Sequence, residues 1–255
     1  MTDHNSLNPP SVAIDPGDGT MTDQGKVMMR LRDVTKTYKM GKVDVRALKG
    51  VSLDIDRGDW VAIMGPSGSG KSTLLHILGC LDSPTSGSYE LGGVDVSSMS
   101  EDRLADVRNR EIGFVFQSFN LLARASALKQ VMLPMQYQRR NPVSRPERRE
   151  LAEAALDLVG LSDRANHQPA ELSGGQQQRV AMARALVTNP SILMADEPTG
   201  NLDSKAGDEV MDIVARLHEE RGITVVTVTH EPDIAARARR VIRLLDGRIE
   251  EDFRQ

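Results

Sequence analysis

Apolar and polar positions alternate between two periods along this chain. Val51, Leu53 and Ile55 alternate with polar neighbours and stop at Arg57-Gly58-Asp59, the pattern of a strand closed by a turn. Residues 27–34 alternate less regularly and predict an earlier strand. Short unbroken apolar runs at 60–64, 112–116, 191–195 and 223–228 predict buried strands, and 241–245 adds another before a turn at Asp246-Gly247. Ser83-Pro84-Thr85-Ser86-Gly87 predicts a turn into a short hairpin near 89–94. Helical spacing appears at 73–78, at Leu151, Ala154, Ala155 and Leu158, and over about 205–220. Pro146 near the start of the second of these and Gly160 just beyond its end are fitting boundary residues. Strands interleaved with helices predict an α/β fold around a mostly parallel, doubly covered sheet. Residues 118–175 change character and predict an inserted helical lobe, whereas residues 1–25 show no hydrophobic period and predict a disordered extension.

Composition narrows the class. A chain of 255 residues, 39% of them hydrophobic, is long enough to bury a substantial core. A net charge of −4 and 3% aromatics argue against a nucleic-acid partner held by bulk charge or base stacking. The single cysteine, Cys80, has no internal partner for a disulfide and fits a reducing cytoplasm. No apolar run reaches the roughly 18 residues of a membrane span, and no basic-then-apolar start marks a signal peptide. The expectation is a chain that stays on the cytoplasmic side.

The most specific chemistry lies in Gly65, Pro66, Ser67, Gly68, Ser69, Gly70, Lys71, Ser72 and Thr73, which fit G-x-x-x-x-G-K-[ST] between a predicted strand and a predicted helix. Glycines let the backbone wrap a triphosphate, and the helix end supplies N–H groups to the anion. Lys71 would reach the outer phosphates and the Ser72 hydroxyl would ligate Mg²⁺. The chain is therefore expected to bind a nucleoside triphosphate.

Around that loop stand further candidates. The strand at 191–195 leads into Asp196 and Glu197; Asp196 would serve Mg²⁺ and Glu197 would polarise the attacking water. His230 follows the strand at 223–228, where it is either a γ-phosphate contact that holds the water–Glu197 pair or an ordinary surface histidine. Gln117 ends a strand and is either a neutral Mg²⁺ ligand or structural. Tyr38, after the first strand, either stacks on a purine or is a loop aromatic. A basic cluster of Arg139, Arg140, Arg145, Arg148 and Arg149 reads as a solvated loop because glutamates are interspersed.

Ser173, Gly174, Gly175 and Gln176 open an apolar helix and build a second anion-receiving helix end. A nucleotide enclosed by the first loop has one exposed γ-phosphate left. The economical arrangement is a two-fold dimer, in which each copy's Ser173 end closes its partner's nucleotide.

Taken together, the stretch 65–73, Gln117, the stretch 172–176, Asp196-Glu197, Asn201-Leu202-Asp203 and His230 resemble the ATPase subunit of an ATP-binding cassette transporter, over residues from about 27 onward. The resemblance implies a P-loop ATPase core at 26–255 with an antiparallel β subdomain and a helical subdomain, and ATP and Mg²⁺ bound by a head-to-tail dimer. It assigns Tyr38 to adenine stacking, Gln117 to Mg²⁺ and coupling, Ser173, Gly174 and Gly175 to the partner's γ-phosphate, and His230 to the switch. The stretches 196–204 and 116–122 resemble, more narrowly, the branch of macrolide and peptide exporters, lipoprotein-release ATPases and the cell-division ATPase. That branch implies a membrane permease with a large extracytoplasmic domain, an adaptor outside the membrane as a further partner, and a place on the cytoplasmic face of the membrane. After Leu122 the chain departs from it: Ala123, Lys129 and Gln130 stand where the branch has a proline and a Glu-Asn pair, in a stretch implied to line the permease groove. Export or membrane extraction is the expected work, with control of cell-wall hydrolysis through a non-transporting membrane protein as the alternative. A DNA-repair cassette ATPase would need a long heptad-bearing insertion, which this sequence lacks.

Overall fold

The computed structural model describes residues 26–41, 43–139 and 142–255. The expected extension at 1–25, and Arg140 of the basic cluster, lie outside the described residues. The described residues open with β1 (Val27–Met40) and β2 (Val43–Asp56), two long strands paired antiparallel. After β3 (Trp60–Met64) and α1 (Lys71–Leu78) come β4 (Ser86–Leu91) and β5 (Val94–Asp95), which join the first pair in a four-stranded antiparallel sheet of order β2-β1-β4-β5.

A second sheet runs through the centre. α2 (Glu101–Glu111) and β6 (Ile112–Phe116) are followed by α3 (Ala127–Gln136), α4 (Arg145–Leu158) and α5 (Gly174–Leu186). Then come β7 (Ile192–Asp196), α6 (Ser204–Arg221), β8 (Thr224–Val228), α7 (Pro232–Ala235), β9 (Arg240–Leu245) and β10 (Arg248–Arg254). The strands assemble as β10-β9-β3-β8-β7-β6, parallel except for the β9–β10 hairpin.

Strand alternation divides the core in two. Trp60, Ala62, Leu193, Ala195 and Val225 face α3 to α7, whereas Val61, Ile63, Ile192, Met194 and Val226 face α1, α2 and the antiparallel sheet. With both faces covered, the central strands are largely apolar, the exceptions being buried Thr224 and Thr227 in β8 and Asp196 at the end of β7.

Three differences between the elements and the sequence reading have clear physical causes. β1 extends to Met40, so Tyr38 lies within the strand, opposite Val45, rather than after it. α2 buries only Leu104, Val107 and Glu111, too few apolar positions to announce a helix. β10 is an edge strand, exposed at six of its seven residues and dependent on pairing with β9.

Candidate active site

Parallel register brings the predicted chemistry to one edge. Ile63 pairs with Val228, Val228 with Asp196, and Asp196 with Phe116. The chain therefore leaves four neighbouring strands in the same row, and the phosphate loop, His230, Glu197 and Gln117 all start from it. This is the carboxyl edge of a parallel sheet, where ligands bind in open α/β folds.

In the phosphate loop, Gly65 has φ +150° and a Cβ there would lie 2.1 Å from Leu244 O; at Gly70, φ +103°, it would lie 2.6 Å from Ala47 O. Only glycine fits either position. Lys71 Nζ donates to Gly65 O at 2.8 Å and Pro66 O at 2.9 Å, so the ammonium already spans the loop. Ser69 is 2% exposed and its Oγ has no protein partner, an orphaned polar atom inside a loop built for an anion. The first turn of α1 carries no acidic residue to compete with a phosphate, and Ser72 is exposed there.

Asp196 and Glu197 meet different surroundings. Burial, then the charge of Glu197, raises the Asp196 carboxyl above its ordinary range, opposed by His76 and Lys71. Glu197 adopts φ +44° while its N–H bonds Val228 O at 2.9 Å. That left-handed turn costs roughly 1–2 kcal/mol for a non-glycine residue. His230 Nδ1 stands 3.0 Å from Glu197 Oε1, which requires the proton on Nδ1 because a carboxylate only accepts. Gln117 is clasped to Asn201, whose Nδ2 donates to Gln117 O at 2.9 Å. Ser72, Asp196 and Gln117 offer hydroxyl, carboxylate and amide oxygens. Two crowded carboxylates beside an all-oxygen donor set fit Mg²⁺, which keeps waters and substrate phosphates as its other ligands. Consistent with so few protein ligands, no group of three or more His, Cys, Asp or Glu suited to a metal occurs among the described residues.

The second candidate helix end, at Ser173, sits elsewhere. Ser173 caps α5, its hydroxyl accepting from Gln176 N at 3.3 Å while Gln176 Oε1 accepts from Ser173 N at 3.0 Å. Gly174 faces Leu202 and Asn201, and a Cβ at Gly175 would press to 2.9 Å on Ala206. α5 is anchored on β6 through Gln178 Nε2, which donates to Phe116 O at 3.3 Å and also to Pro198 O. β6 is three strands, roughly 14 Å by strand spacing, from β3, so the helix that Gln178 anchors there carries Ser173 on the flank away from the phosphate loop.

The sequence reading gives one buried clasp, Gln178, no role, and a second, Gln130, a different one. Gln178 is fully buried, and its one signal is its position on the apolar stripe with Ala181, Met182 and Ala185. Gln130, noted above for its departure from the branch pattern, is also fully buried; it grips Leu122 through its N–H at 3.1 Å and its carbonyl at 2.6 Å. A cavity of about 520 Å³ beside this loop is lined by Leu81, Arg108, Phe114, Tyr137, Arg139 and Arg184, among others, rather than by Ala123, Lys129 or Gln130.

Residues 48–200 match the model of the ABC transporter family. This chain belongs to that family. It is the ATPase domain, an ATP-binding subunit with the fold of that class. The macrolide export ATP-binding/permease protein MacB of Syntrophobacter fumaroxidans is 54% identical over 223 residues, 88% of this chain but 31% of that protein. The chain thus spans about a third of that relative. An uncharacterized ABC transporter ATP-binding protein of Thermotoga maritima is 55% identical and is covered to 94%. The dimeric post-hydrolysis structure of the cassette MJ0796, bound to ADP and Pi, superposes with a TM-score of 0.83 at 49% identity, covering 89% of this chain and 98% of that one. MJ0796 comes from Methanocaldococcus jannaschii. No helix among the described residues is long and apolar enough to cross a membrane.

Proposed function

We propose that two copies of this chain close head to tail on two ATP molecules and that hydrolysis drives a membrane permease in export or membrane extraction. The observation that carries the reading is the separation of the two anion-receiving helix ends. The phosphate loop and the Ser173 end belong to opposite flanks of one strand row. One nucleotide can use both only if the second comes from another copy. The dimeric MJ0796 structures support this arrangement.

Within each pocket, Lys71 leaves its loop carbonyls for the β- and γ-phosphates, and Tyr38 stacks on adenine. The loop from Gly65 to Thr73 encloses the phosphates, while Ser173, Gly174, Gly175 and Gln176 of the other copy close over the γ-phosphate. Glu197 polarises the attacking water, and His230 orients Glu197 from the strand beside it. Mg²⁺ held by Ser72, Asp196 and Gln117 would supply charge neutralisation at the phosphate oxygens.

The name macrolide export ATP-binding/permease protein among the relatives supports export through a membrane permease; in this reading the permease carries a large extracytoplasmic domain, an adaptor stands beyond it, and this chain sits on the cytoplasmic face. The cavity floored by Phe114 and rimmed by exposed Tyr137 and Leu81 is the natural seat for a permease segment, since Arg184 on its wall binds Phe119 O and Asn120 O just after Gln117. Mixing a Ser173→Arg chain with a Lys71→Ala chain, each inactive alone, tests the dimer. One sound pocket per mixed pair should restore part of the ATPase rate; no recovery in a verified mixed dimer would sink the reading.

A further inference from the structure

Tyr38 is tied down at its phenol end. Its hydroxyl donates to Asp82 Oδ2 at 2.8 Å. Asp82 is in turn held by three groups. Lys36 Nζ pairs with its Oδ1, Ser83 N donates to the same oxygen at 2.8 Å, and Asp82 N bonds His76 O at 3.2 Å. The last bond folds the chain back on α1, about one helical turn beyond Thr73. Lys36 Nζ also stands 5.0 Å over the Tyr38 ring, so a cation takes one ring face and a base is left the other.

We propose that Asp82 is a positioning residue for nucleotide binding, fixing the plane of the Tyr38 ring on which adenine stacks. This deepens the functional reading above and rests on Tyr38 taking the base. A ring free to turn must be ordered by each incoming nucleotide; a ring held at its tip is ordered beforehand. The hydroxyl–carboxylate bond is charge-assisted and stronger than a neutral one. Because His76 belongs to α1, the helix that follows the phosphate loop, the bond from Asp82 N to His76 O sets the base platform at a constant distance from that loop. Burial, followed by the bond to Asp82, raises the Tyr38 phenol above its usual range, as expected for a proton held between the two oxygens.

The test titrates the full chain in Mg²⁺ buffer with ATP and, separately, with inorganic tripolyphosphate, which has no base. Asp82→Ala and Tyr38→Phe should each weaken ATP binding roughly three- to tenfold and leave tripolyphosphate within about twofold. Combined, the two changes should be no worse than the stronger single one, because both break one bond. Tyr38→Phe keeps the ring and guards against an Asp82→Ala chain that fails to fold. Multiplying effects, or an equal loss for tripolyphosphate, would overturn the positioning role. So would unchanged ATP affinity in Asp82→Ala where Tyr38→Ala loses it, an outcome that leaves Tyr38 as the platform. Unchanged affinity in Tyr38→Ala removes the platform itself and the inference with it.

Discussion

His230 Nδ1 lies 3.0 Å from Glu197 Oε1, joining the residues that follow two adjacent parallel strands. The pair separates two roles that mutation can tell apart. Glu197→Gln keeps an acceptor oxygen for His230 but lacks the carboxylate charge. It should lower kcat by at least about 100-fold while an ATP-stabilised dimer persists. Gel filtration with Mg-ATP and a phosphate-release assay report both, and normal turnover would remove Glu197 from the chemistry. His230→Ala leaves the carboxylate intact but unheld, so kcat should fall while ATP affinity stays.

Asp196 predicts a pH-dependent stability. Its carboxyl is raised in the folded chain by burial and by Glu197. The protonated form is thus favoured by folding: its contribution is fully present below the unfolded value near 3.8 and is lost as pH rises through the higher folded value. At neutral pH the ionised group is a cost. Asp196→Asn, which resembles the protonated form, should raise the Tm of the nucleotide-free chain at pH 7. The gain should shrink as pH falls below the carboxylate range, and Mg²⁺-dependent hydrolysis should be lost throughout. A Tm difference independent of pH would contradict the electrostatic origin.

Gly65→Ala places a methyl 2.1 Å from Leu244 O, a backbone atom of β9 that cannot rotate away. The variant should lose roughly 2 kcal/mol or more of stability in urea unfolding, even without nucleotide. It should also lose ATP binding. Full stability would mean that the loop and β9 separate more readily than their packing suggests.

Cys80 is buried and its thiol is pushed up to about 12 by burial. Alkylation at pH 8 should be negligible in the native chain and complete after unfolding. The native labelling rate should therefore follow the opening of the core around α1. Rapid native labelling would place that core at the unstable end of the fold.

Much of this protein is decided locally. A phosphate loop needs glycines at fixed offsets, a lysine, and a strand before a helix; all of these are adjacent residues, so Gly65 to Thr73 could be read directly. The doubly buried strands β3, β6, β7 and β8 were equally legible, because cover on both faces leaves few polar positions, Thr224 and Thr227 among them, to disguise them. Gln117, Asp196, Glu197 and His230 could be placed at strand ends by the same logic.

Tertiary structure decided what depends on partners distant in sequence. α2 and β10 carry too little apolar surface to declare themselves and exist through packing and pairing. Tyr38 belongs to a strand because Val45 pairs with it, and its bond to Asp82 spans 44 residues. Gln178 and Gln130 are polar side chains that became interior clasps, since each found backbone carbonyls to satisfy it. The separation of the two candidate helix ends is likewise a property of strand order, β3-β8-β7-β6, which the pairing of the non-consecutive strands β3 and β8 sets and no local pattern encodes.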